Sequence, residues 1–173
     1  MNVKYINPFV KSVYNAMKTM LKTAPERGTP HMKDHNKAQG DISGIVGFAA
    51  KNIYGTLALS FPEATAIKAF KLMVGENATE INDDVRDLIG ELANIIIGGA
   101  KQEYVKLGLP FDISIPTVVM GAAHTITHKG GTPVLVIPFT LDGSEFRVEV
   151  SMKIDGSAAF AEAEEAAKAK ATA

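Results

Sequence analysis

Between Asn7 and Leu21 the apolar residues Phe9, Val13, Ala16, Met17 and Met20 recur every three or four positions, the repeat of a helix that buries one face. Asn7 and Pro8 are the residue types of an N-cap and a first-turn proline, so the helix is expected to start there. The stretch 24 to 41 is polar and rich in glycine and proline and reads as connection, with one short edge strand at Pro30 to Lys33. In "DISGIVGFAAKNIYGTLALSF" the period changes to two. Leu57, Leu59 and Phe61 alternate with Ala58 and Ser60, and the run folds back around Lys51-Asn52 as a hairpin.

"FPEATAIKAFKLMVG" opens on proline, closes on glycine and repeats helically through Ala66, Ile67, Phe70, Leu72 and Met73. Asn82 can cap a third helix, with Asp83 and Asp84 suiting its positive end, and no breaker interrupts it before about Gln102 or Leu107. Beyond Gly108, "DISIPTVVMG" is a strand that Pro116 confines to an edge or a bend, and "HTITHKGGTP" alternates and then turns at its glycines. "PVLVIPF" and "EFRVEVSMKI" flank a turn at 141–144. In the second of them Phe146, Val148, Val150 and Met152 alternate with Arg147, Glu149, Ser151 and Lys153, a face expected to be wet.

The order helix, short strand, hairpin, helix, helix, strand, hairpin predicts two similar halves joined at the second helix. The fold class that follows is α+β, a mainly antiparallel sheet covered on one face by long helices. Residues 1–154 form the expected domain. Residues 155–173, rich in alanine, glutamate and lysine, form an expected tail, helical or disordered.

Composition narrows the function. Eighteen basic and nineteen acidic residues give a net charge of −1, which provides no field to attract nucleic acid or anionic lipid. No cysteine is present, which excludes disulfides, thiol nucleophiles and cysteine-based zinc sites. No apolar run reaches the roughly 20 residues of a membrane span, and no signal-peptide pattern opens the chain, so a cytoplasmic location is expected. His124 and His128, like His31 and His35, are four apart, but no carboxylate or cysteine accompanies them at ligand spacing. They read as solvated histidines, with no metal site.

The candidate chemistry lies on the third helix. On a wheel of 100° per residue, Leu88, Ile89, Leu92 and Ile96 form the buried stripe, with Ile95 and Gly99 close by. Asp87, Glu91, Asn94 and Gly98 share another sector about 60° wide. A carboxylate and an amide one turn apart on a rigid helix can meet a partner, and Gly98 leaves room for close approach. A helix also needs a polar face, and the cost of asparagine or glycine there, a few tenths to about 1 kcal/mol, does not decide between these readings.

The spacing Asp87-x3-Glu91-x2-Asn94, then twenty-one intervening residues and Pro116, resembles the signature of the CheC/CheX/FliY phosphatases of bacterial chemotaxis. "NPFVKSVYNAMKTML", "ELANIIIGGAK", "ISIPTVVMG" and "GTPVLVIPFTLDGSEFRVEV" extend the resemblance over about residues 1 to 154. It implies a phosphatase that hydrolyses the aspartyl phosphate of a CheY-type response-regulator receiver, and it implies a homodimer. No cofactor of its own is implied, with Mg2+ carried by the receiver. The first helix offers Ser12-Val13-Tyr14-Asn15, which keeps the asparagine but has serine at the glutamate position. One intact copy fits the CheX-like members, and the absence of a switch-binding segment or fused domain argues against FliY.

Such a receiver already holds a metal and basic groups around its phosphoryl oxygens, so what hydrolysis lacks is a water held in line. An amide carbonyl can hold it without titrating, which gives Asn94 the catalytic part. By resemblance, Glu91 pairs with the receiver's lysine, Asp87 and Gly98 are contact residues, and Pro116 shapes the neighbouring strand. The alternative is a module that binds the receiver, or dimerises, without turnover. A second copy is also expected from the continuous apolar run Val134 to Ile137, which cannot face water on both sides.

Overall fold

The computed structural model describes residues 3–34, 40–122, 124–128 and 132–154. In chain order the elements are α1 (Val3–Met20), β1 (Glu26–Arg27), β2 (His31–Met32), β3 (Ile42–Ala49), β4 (Ile53–Phe61), α2 (Glu63–Val74), α3 (Asp83–Lys106), β5 (Asp112–Ile113), β6 (Thr117–Met120), β7 (Val134–Leu141) and β8 (Ser144–Ile154). All eight strands pair antiparallel in one sheet, in the order β1-β7-β8-β4-β3-β5, with β2 also on β7 and β6 also on β3. The expected α+β class and the expected pair of halves are both present. The halves exchange their short strands: β1 and β2 edge the second hairpin, and β5 and β6 edge the first.

The β-prone alternation sets the register. Leu57, Leu59 and Phe61 on β4 and Val148, Val150 and Met152 on β8 face the helices, where α1 and α3 add Phe9, Val13, Ile89, Leu92 and Ile96 to a single core. Phe139, Phe146 and Phe61 stack in a row across β7, β8 and β4, with ring centroids 5.0 and 5.3 Å apart. Asp142 and Gly143, both at positive φ, make the tight β7–β8 turn. Pro62 opens α2 and Gly75, at φ 84°, closes it in the left-handed conformation.

Four expectations need correction. The first helix begins at Val3, so Pro8 lies inside it. The extra turn puts Ile6 into the core, and that burial outweighs the hydrogen bond Pro8 cannot donate. "HTITH" is no regular strand; residues 124–128 cross the second face of the sheet, while 129–131 fall outside the described residues. There Ile126 packs on Ala58, and β8's alternate face is not wet at Glu149 and Ser151, both of which are buried. Lastly, the run Val134–Ile137 needs no second copy, because β8 pairs with one edge of β7 and β1 and β2 with the other. The tail, 155–173, lies outside the described residues.

Candidate functional site

Asn82 caps α3, its Oδ1 accepting from the Val85 N–H at 3.0 Å, and Asp83 and Asp84 occupy the first turn. Val85, Leu88, Ile89, Leu92, Ala93 and Ile96 are buried as the wheel requires. The helix reaches the sheet closely because Gly44 lies beneath it: a Cβ there would come to 2.9 Å from both the Ala93 Cβ and the Ile89 carbonyl oxygen. This contact fixes the rotation of α3 and turns the opposite sector outward. Asp87 and Glu91 are exposed, and Asn94 and Gly98 are half-buried on the same ridge.

Arg86 takes up part of the charge, 2.9 Å from Asp83 and 3.7 Å from Asp87. Among the described residues, neither Glu91 nor the Asn94 side chain has an ion pair or a side-chain hydrogen bond. A Cβ built at Gly98 would meet nothing within 4 Å. The ridge therefore offers a carboxylate, an amide and an open approach, none engaged with other described groups.

Pro116 lies in the edge segment between β5 and β6, which passes α3. Gly90 faces Val118 of β6, and Lys101 Nζ lies 3.3 Å from Asp112 Oδ1, so the segment 112–118 runs beside α3 in the opposite direction. Gly90, Asn94 and Lys101 share that flank, being four and seven residues apart. Asn94 is one turn, about 6 Å, beyond Gly90. Two extended residues cover about the same distance back from Val118 and arrive at Pro116. The twenty-one-residue gap between Asn94 and Pro116 is thus the remainder of the helix, its turn and the return to the same level.

The other flank belongs to the helices. Near its N-terminal half, α3 forms with α2 a groove of about 460 Å³, lined by Met73, Val74, Asp87 and Glu91 among others. Near its C-terminal half α1 crosses it. Here Ser12, in the position of a glutamate by the resemblance, is buried and donates its hydroxyl to the Ile96 carbonyl at 2.6 Å. Gly99 faces the same serine and lacks room for a Cβ, so its expected place against packed structure is occupied by α1. Asn15 lines a cleft of about 220 Å³ between the two helices. With Ser12 holding the helices together, α1 presents no docking carboxylate beside Asn15.

The second face of the sheet holds polar residues that the sequence pattern placed in water. Glu149 Oε2 accepts from Lys33 Nζ at 2.7 Å and from His128 Nε2 at 2.9 Å, and all three side chains are at least 95% buried. Burial would raise the Glu149 pKa, but the hydrogen bonds from His128 and Lys33 outweigh it and hold the carboxyl below its ordinary value. His124 bonds Ser43 and the Gly121 carbonyl, both at 2.8 Å. The expectation of a solvated histidine fails for His128, whose side chain is buried because residues 124–128 lie on the sheet, whereas His124 is half-exposed. His31 is exposed, and His35 is outside the described residues. No cluster of three or more potential metal ligands occurs among the described residues.

A family model described as chemotaxis phosphatase CheX matches residues 42–140. The CheY-P phosphatase CheX of Thermotoga maritima is 28% identical over 158 residues, 90% of this chain and all of that protein. A CheC-like superfamily protein from Shewanella sp. PV-4 superposes with a TM-score of 0.83 at 37% identity, covering 88% of this chain and 99% of the other. In the Borrelia burgdorferi CheX-CheY-BeF3-Mg2+ complex, the matching chain is 27% identical with a TM-score of 0.74, over 86% of this chain and 97% of that one.

Proposed function

The chain belongs to the family of the chemotaxis phosphatase CheX, and from that premise we propose that it hydrolyses the aspartyl phosphate of a CheY-type receiver across the α3 ridge. The observation that carries the residue assignment is the pairing of Glu91 and Asn94 on one ridge, with neither side chain engaged among the described residues. A CheX relative has been crystallised with CheY, beryllofluoride and Mg2+, which supports an acyl-phosphate receiver as the partner and Mg2+ as that receiver's metal. Mg2+ on the receiver supplies charge neutralisation at the phosphoryl oxygens.

In the proposed reaction, Asn94 Oδ1 accepts a hydrogen bond from a water and aims its oxygen at phosphorus, opposite the acyl oxygen. The new P–O bond forms as the bond to the aspartyl oxygen breaks. The electron pair returns to the receiver's carboxylate, inorganic phosphate leaves, and the water's proton passes to phosphate or solvent. An amide does not titrate, so its part in this step is orientation, and it works at any pH at which the receiver is phosphorylated. Glu91 meets the receiver's lysine, a charge-assisted contact that sets where Asn94 enters. Asp87 and Gly98 complete the contact ridge, and Pro116 fixes the backbone beside Asn94.

The domain proposed for this activity is 1–154. A homodimer belongs to the proposal through the family resemblance alone, since β7 is covered from within the chain. Molar mass by light scattering decides it.

The test is decay of phosphorylated receiver. Asn94→Ala should lower the rate constant on the order of 10²-fold at saturating receiver, with binding retained. Hydrolysis at the parent rate would sink the mechanism. Binding of phosphorylated receiver by the parent, with no acceleration of its decay, would identify a docking module instead.

A further inference from the structure

Ile115 is 87% exposed, the most exposed large apolar side chain among the described residues. A solvated isoleucine in a loose loop would carry no argument, but this one is held. The pairs Phe48↔Ile113 and Ile45↔Thr117 enclose two residues on β3 and three, Ser114 to Pro116, on the edge segment, so one extra residue bulges from the sheet. Ser114 fixes the bulge on one side: its N–H donates to the Gly47 carbonyl at 2.8 Å and its hydroxyl accepts from the Gly47 N–H at 3.0 Å. The ring of Pro116 fixes φ on the other. The bulge leaves Ile115 projecting into solvent, in the segment between Asp112, which meets Lys101, and Val118, which meets Gly90.

We propose that Ile115 is an apolar anchor for the phosphorylated receiver, inserting beside the phosphoryl site while Glu91 and Asn94 engage it. This rests on the receiver-phosphatase reading above. Three observations favour the receiver over a second copy as occupant. The segment that carries the knob runs beside α3, held by Asp112 at Lys101 and by Val118 at Gly90. Met73 and Val74, 37% and 47% exposed, stand on the opposite flank beside Glu91, so the polar ridge has apolar surface on both sides, the composition of a protein-docking face. A second copy would use this edge by strand pairing, and the bulge together with Pro116, which has no N–H, interrupts the ladder it would need.

The anchor is pre-ordered by its neighbours, so burying it on binding sacrifices little backbone freedom. Full burial of an isoleucine corresponds to roughly a tenfold change in affinity or more. The experiment compares the parent, Ile115→Ser and Ile115→Leu in the full chain. It measures kcat and KM for phosphorylated CheY-type receivers, Kd for the same receivers loaded with beryllofluoride and Mg2+, and molar mass. The expected result for Ile115→Ser is a rise of about tenfold in KM and Kd, with kcat and mass unchanged, and recovery in Ile115→Leu. Parent-like KM and Kd, or a fall in kcat alone, would overturn the anchor. A change in mass without a change in Kd would assign Ile115 to a contact between copies and overturn it as well. If the parent turns over no receiver, the phosphatase reading fails, and the Kd comparison still decides whether Ile115 anchors one.

Discussion

A Cβ built at Gly98 meets nothing within 4 Å, whereas one built at its neighbour Gly99 overlaps the Ser12 hydroxyl. The two positions differ by 100° around α3, enough to face one toward open space and the other toward α1. Gly98→Ala should therefore stabilise the fold by up to about 1 kcal/mol through helix propensity. If the ridge docks the receiver closely, it should also raise KM, so urea midpoint and KM should move upward together. A variant more stable than the parent with unchanged KM would remove Gly98 from the contact surface. Both orientations are legible in "IIIGG" from the helical period, because rotation about a helix axis is fixed by sequence spacing. What closes on Gly99 is not, since the crossing of α1 is a tertiary contact.

At the level of elements, the approach of α3 to β3 depends on Gly44. A Cβ there would sit 2.9 Å from both the Ala93 Cβ and the Ile89 carbonyl, and backbone cannot yield as a side-chain end can. Gly44→Ala should cost about 1–3 kcal/mol, read from the urea midpoint, and should weaken activity by tilting the ridge. A neutral effect on both would mean that the helix sits more loosely than drawn. The sequence pattern gave the existence of each long element because each carries its own period, 3.6 or 2, over several turns or pairs. It misplaced the start of α1, because Pro8 is a local signal and the burial of Ile6 a distant one.

For the molecule as a whole, the buried Lys33–Glu149–His128 group joins three parts of the chain on the face opposite the site. Glu149 has its pKa lowered from the ordinary 4.5, the hydrogen bonds from His128 and Lys33 outweighing burial. A carboxyl depressed in the folded state contributes stability above its unfolded pKa and loses that contribution as pH falls through the folded value. Stability should hold at neutral pH and decline below about 4.5, the unfolded carboxyl range. Glu149→Gln should flatten that acid limb and, by leaving Lys33 buried without its counter-charge, lower stability at pH 7 by about 3–5 kcal/mol. Urea midpoints across pH check both effects. An unchanged acid limb would place the linkage elsewhere.

The sequence by itself determined the long elements, the two halves and the ridge of Asp87, Glu91, Asn94 and Gly98, because period and face are properties of neighbours along one chain. Tertiary structure decided what no period encodes. It exchanged the short strands between halves, covered β7 without a second copy, drew residues 124–128 over the sheet to bury Glu149, and bulged the exposed Ile115 out of the edge segment that runs beside α3. Alternation names two faces of a strand, but whether the second face stays in water depends on whether a distant segment finds partners there. Lys33 and His128, remote from each other in sequence, meet on one carboxylate oxygen and provide them.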